Sequence, residues 1–264
     1  MADDDRSDRR ILLAIDTGSL TGPALETAAA LAVGLGSELA ALFVEDESLL
    51  RLAGLPFARE TGFASAELRG LGFEAMEQAF RVQAGHLRRV VEAAAVRLSL
   101  TWTLDVARGD LLTASLARLR GEDLLVLGRG RLSAFPVPGR PGEVGPFHAL
   151  AGRPVAVVFD ESTAGGRGLE AALALARVTA SELAVLVSAD GAEAFRAGRT
   201  RAAERLAERS AAVRYALLEA GDPAALARIV RARGAGALVM SGTDAERPTL
   251  ELLEDVACPV VLLP

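Results

Sequence analysis

The sequence contains no lysine and no asparagine, so all 29 of its basic residues are arginine. Both missing residues have AT-rich codons and alanine is abundant, the pattern of a GC-rich bacterial genome. The missing lysine also excludes chemistry. A Walker A loop needs its lysine on the terminal phosphates, and a pyridoxal phosphate enzyme needs one for the Schiff base. Cysteine occurs once, which rules out an internal disulfide. With two histidines and that one cysteine, a transition-metal site would have to rest on carboxylates, and no such cluster is visible, so no metal is expected. Aromatic residues are 4% of the chain, with one Trp and one Tyr, too few for base-stacking platforms. The net charge of −6 and pI near 5.2 also speak against a nucleic-acid partner. No apolar run reaches the roughly 18 residues that span a bilayer, so no membrane association is expected. Residues 1–10 are acidic and polar, the reverse of a secretory signal, and the expected location is the cytoplasm.

What is present is an internal repeat. The apolar run Ile11–Ile15 ends in Asp16, and Val155–Phe159 ends in Asp160. Glu38-Leu39-Ala40-Ala41-Leu42 matches Glu182-Leu183-Ala184-Val185-Leu186. Both matches have the same offset of 144 across a helix-length gap. Later, Gly109-Asp110 parallels Gly221-Asp222, each after a strand-like run and before a helical one. Glycine supplies the tight turn there, and aspartate accepts from free N–H groups at the helix start.

Each half alternates short apolar runs with helical stretches, the pattern of a parallel sheet covered by helices. In the second half, strands are expected near 155–159, 183–188, 213–218, 237–241 and 259–263, with helices near 166–179, 192–210, 223–233 and 248–256. In the first, strands fall near 11–15, 39–44, 101–106 and 124–127, with a helix near 23–35 and a long one over 66–98. Phe73, Met76, Phe80, Leu87 and Val91 form the apolar stripe of the long helix. Between them, 46–64 reads as a short helix plus a loop. The fold class is α/β: two flavodoxin-like, Rossmann-like doubly wound parallel sheets in tandem, each of order 3-2-1-4-5. The boundaries are 9–152, of which 129–152 is a Gly/Pro-rich loop, and 153–264. Only one strand, 154–159, lies between that loop and the next helix. It belongs to the second half, so the first half lacks its fifth strand, and the exposed edge needs cover from the 129–152 loop or a partner.

These features together resemble the universal stress protein family. The resemblance rests on the first strands ending in Asp16 and Asp160, the Glu-Leu-Ala lead-in, the Gly-Asp after strand three, and the closing Ala257-Cys258-Pro259-Val260-Val261-Leu262-Leu263. It covers all but about 129–152. Nucleotide-binding members carry Gly-x2-Gly-x9-Gly-(Ser/Thr) after strand four, where backbone N–H groups hold phosphates. The second half has Ser241-Gly242-Thr243-Asp244-Ala245-Glu246 there; its acidic residues would repel a triphosphate. The first half has Gly128-Arg129-Gly130-Arg131, with glycines two apart rather than three. Gly139, Gly142 and Gly152 fit the family spacing but begin eleven residues too late, and Arg153 stands where the hydroxyl belongs.

The resemblance therefore implies a degenerate nucleotide site at Asp16, Thr17, Val44, Gly109, Gly128, Arg129, Gly130 and Arg131. Asp16 keeps two readings, a contact to an adenosine or a local turn into the first helix. Cys258 reads as a small apolar filler. His86 and His148 have no acid or nucleophile beside them in sequence, and no catalytic motif is found. The expected function is a non-catalytic stress-response or regulatory protein acting through protein contacts. The alternative is adenine-nucleotide binding or slow ATP hydrolysis confined to the first half. No cofactor is expected, apart from ATP in that half. The protein partner is unknown, and the repeat leaves open both a homodimer and a pseudo-dimeric monomer.

Overall fold

The structure, a computed structural model of the 264-residue chain, describes residues 9–17, 22–55, 59–61, 68–70, 72–128, 147–206, 212–219, 222–242 and 255–264. The expected helix at 248–256 therefore lies largely outside the described residues, as does the end of the helix expected to reach 210.

The first part of the chain runs β1 (Arg10–Asp16), α1 (Gly22–Leu35), β2 (Glu38–Asp46), α2 (Glu47–Ala53), β3 (Arg59–Thr61), β4 (Leu68–Gly70), α3 (Phe73–Leu98), β5 (Trp102–Gly109), α4 (Leu111–Leu116) and β6 (Leu124–Leu127). The second runs β7 (Val155–Phe159), α5 (Thr163–Val178), β8 (Leu183–Ser188), α6 (Ala192–Leu206), β9 (Val213–Leu218), α7 (Pro223–Ala232), β10 (Ala237–Ser241) and β11 (Val260–Leu263). The expected alternation is present in the described residues as far as β10. One correction concerns the long helix, which starts at Phe73 rather than near 66. Gly70 and Gly72 disfavour a helical turn there, and Leu68–Gly70 instead pairs antiparallel with Arg59–Thr61. Another concerns α5, which starts three residues early because Ser162 caps it, its hydroxyl accepting from the Gly165 N–H at 2.9 Å.

The two sets of strands do not stay separate. They join in one nine-stranded sheet of order β5-β2-β1-β6-β11-β10-β7-β8-β9. The arm β5-β2-β1-β6 follows the order 3-2-1-4, and the arm β9-β8-β7-β10-β11 follows 3-2-1-4-5. The strand at 155–159 pairs with β8 and β10, within the second arm. Among the described residues no fifth strand of the first arm follows β6. The edge of β6 is covered by β11, antiparallel, with Val261 opposite Val126. This corrects the expectation that the 129–152 loop or a partner covers that edge. Any buried apolar strand with free N–H and C=O groups can satisfy β6, and β11 is already beside it.

All other pairs in the main sheet are parallel. Because the β6–β11 step alone is antiparallel, the carboxyl ends of the two arms lie on opposite rims of the sheet. Ile11, Leu13 and Ile15 are fully buried on one face, beneath α1, α3 and α5. Leu12 and Ala14 fill the other, beneath α4 and α7. Each such aliphatic side chain contributes about 1.5–3 kcal/mol of hydrophobic stabilisation. Helices α1 and α5 also pack across the seam: a methyl group at Gly34 would lie 3.1 Å from the Ala174 carbonyl oxygen.

Candidate functional site

In the first arm the chain leaves β1 on one side and returns through β6 on the other. This topological switch places a crevice at the strand carboxyl ends, where ligands of doubly wound sheets bind. A cavity of about 300 Å³ lies there, lined by the ends of β1 (Asp16), β2 (Asp46), β5 (Gly109) and β6 (Leu127) and by the starts of α2 and α4. Gly109 has φ +141°, a conformation that side chains rarely adopt, so glycine is needed at this wall.

The lining is acidic. Asp16, Asp46, Glu47 and Asp110 contribute carboxylates, and Arg51 is the one cation among the lining residues. Several of these groups also have structural partners. Asp46 caps α2 by accepting from the Ser48 N–H at 2.8 Å, and Asp110 caps α4 by accepting from the Thr113 N–H at 2.9 Å. Arg51 pairs with Glu47 at 2.9 Å, one helical turn away. Next to the cavity wall, the Arg108 guanidinium is held by Glu45 at 2.8 Å and Glu77 at 3.5 Å.

The candidate residues named from the sequence are placed as follows. Asp16 and Gly109 line the cavity. Thr17 begins the turn after β1 and is half-buried. Val44 is the register partner of Asp16, but its side chain is fully buried in the core beneath α4. Gly128 is buried at the end of β6, and Arg129, Gly130 and Arg131 lie outside the described residues. The residues that sequence reasoning missed are Asp46, Glu47, Ser48 and Arg51. The available signal was position, since they directly follow the apolar run of β2 at its carboxyl end.

On the opposite rim, Asp160 of the second arm turns inward. Its carboxylate accepts from the N–H of Ser162 at 3.0 Å and from the Ser162 hydroxyl. A methyl group at Gly165 would collide with that carboxylate, so the α5 N-terminus is closed over it. Cys258 is 3% exposed in the core beneath α7. Burial pushes its thiol up to about 12, against a smaller opposing pull from Arg153, so it remains an inert thiol. His148, which has no acid beside it in sequence, meets one in space: its Nδ1 lies 3.0 Å from Oε1 of Glu26. Among the described residues, no helix is long and apolar enough to cross a membrane, and no group of His, Cys, Asp and Glu could hold a metal ion.

No protein-family model matches this chain, and no curated protein does. Among solved structures it is similar to a universal stress protein from Archaeoglobus fulgidus, 15% identical over 96% of each chain with a TM-score of 0.56. A protein from the universal stress protein family of Burkholderia pseudomallei is 29% identical, over 42% of this chain and 96% of its own, with a TM-score of 0.36. A second A. fulgidus universal stress protein, solved in complex with dAMP, is 19% identical over 42% of this chain and 98% of its own, with a TM-score of 0.36. The full-length similarity shows that this chain has the universal stress protein fold.

Proposed function

We propose that this chain is a universal stress protein-like regulatory protein that acts through protein contacts and does not turn over a nucleotide. The observation that supports this most is the charge of the first-arm cavity, with four carboxylates against one arginine already paired to Glu47. A triphosphate there would meet like charge. Each such contact near 4 Å costs roughly 1 kcal/mol in water and about 4 kcal/mol at the lower dielectric of a protein surface. Arg108, next to Gly109 in the cavity wall, is engaged by Glu45 and Glu77.

A second reading, adenine-nucleotide binding confined to the first arm, is favoured by one feature: the cavity sits at the switch point with Asp16 and Gly109 in its wall. The nucleotide content of the purified protein and its melting temperature with Mg-ATP separate the two. Ligand that binds only the folded state raises the melting temperature in proportion to its affinity. The expected result is no co-purified nucleotide and no shift. A shift of several degrees that disappears in Asp16→Ala would establish the second reading instead.

A further inference from the structure

Helix α3 buries one side and exposes the other along its whole length. Phe80, Leu87 and Val91 are buried where the helix packs on α1, β2 and β5. On the opposite side, Ala75, Ala79, Val82, Arg89, Ala93 and Val96 follow at steps of three, four or seven residues, a single face of the helical period. All six are exposed, Val82 at 58% and Val96 at 75%. Gly85 stands at the midpoint of the helix, beside this row. Glycine is the poorest helix former after proline. A methyl group added there would meet nothing within 4 Å, so no contact inside the chain requires glycine. What a missing side chain does allow at mid-helix is the close approach of a second helix. The charges divide at the same midpoint. Glu74 and Glu77 outweigh Arg81 before it, and Arg88, Arg89 and Arg97 outweigh Glu92 after it.

We propose that this face of α3 docks on the same face of a second copy of the chain, antiparallel, with the two helices crossing at Gly85. The contact is isologous, with its twofold axis near Gly85, so the amino half of each helix meets the carboxyl half of the other. Antiparallel pairing therefore lays each acidic half on a basic one, whereas parallel pairing would oppose like charges. Val82, one turn from the crossing, and Val96 near the end lose their contact with water. The helix is about 39 Å long. One helix pair falls at the low end of stable interfaces, near about 1,200 Å² in total, so the dissociation constant belongs in the micromolar range. None of the residues lining the first-arm cavity belongs to α3, so the contact is independent of whether a nucleotide binds.

Sedimentation velocity of the full chain from about 1 to about 200 µM, at about 0.05 M and about 0.5 M salt, tests this. The mass should rise from one chain to two with concentration, and the dissociation constant should weaken several-fold at the higher salt. Val82→Glu, at an exposed position that folding does not require, should weaken it about tenfold or more. Gly85→Gln places a good helix former where the chain leaves open space. In dilute solution it should raise the melting temperature, yet it should weaken association about tenfold because its side chain blocks the crossing. A change in folding alone would not move those two readings in opposite directions. A chain that stays single at about 200 µM, a dimer that either substitution leaves unchanged, or one that salt tightens overturns the proposal.

Discussion

Val261 of β11 stands directly opposite Val126 of β6, and both side chains are fully buried where the two arms of the sheet meet. A single strand there serves as the fifth strand of one arm and the edge cover of the other. Val261→Ala and Val126→Ala should each cost about 2 kcal/mol, from two lost methyl groups and the cavity left behind. Because the two residues face each other, the double variant should be non-additive by about 0.5 kcal/mol or more. Urea unfolding of the four proteins measures this, and strict additivity would mean that the seam carries no coupling.

Asp123 is fully buried just before β6 and is met by Arg10 in two ways: the guanidinium at 2.6 Å and the backbone N–H at 2.9 Å. The Arg120 N–H adds a third donor at 3.0 Å. Asp123→Ala strands all three and should cost about 3 kcal/mol. Asp123→Asn keeps one acceptor oxygen and should cost roughly half as much. Denaturation midpoints of the two variants read the difference; equal losses would show that the backbone donors contribute nothing.

The paired Gly-Asp motifs make the same cap in both arms, Asp110 to the Thr113 N–H and Asp222 to the Ala225 N–H, each at 2.9 Å. Asp110→Ala and Asp222→Ala should each lose about 1 kcal/mol. Asp110 also lines the acidic cavity. Removing its charge offsets part of the loss, so of the two variants Asp110→Ala should be the less destabilised at low salt, the gap narrowing as salt is added. Thermal unfolding in a salt series checks both statements.

Cys258 should be unreactive while the chain is folded. Its thiol is held near 12, so almost no thiolate forms at neutral pH. An alkylating reagent at about pH 8 should label it only at the rate of unfolding, and rapidly in urea. Fast labelling of the native protein would show that the strand lead-in at 257–259 opens locally.

The local order of elements was readable because the forces that set it act over a few residues. Ile11–Ile15 and Val155–Phe159 are apolar runs bounded by polar turns, and each forms a strand, the first ending at Asp16 and the second just before Asp160. The start of the long helix was not legible in the sequence, because the pairing of Leu68–Gly70 with Arg59–Thr61 depends on a partner outside the local pattern. At the candidate site, Asp16 and Gly109 were found from their places at strand ends. Asp46, Glu47 and Arg51 were not, because nothing local shows that α2 turns back over the crevice.

The sequence alone determined the α/β class, the strand order within each arm, and the helix caps at Asp110 and Asp222. Each follows from side-chain period, turn chemistry or the count of apolar runs. Only the tertiary structure decided that β11 closes both arms into one sheet, that the crevice is walled by carboxylates, and that Glu26 meets His148. Those are choices among non-local partners, and many edges, turns and charges far apart in the chain are equally acceptable until the packed core brings particular ones together.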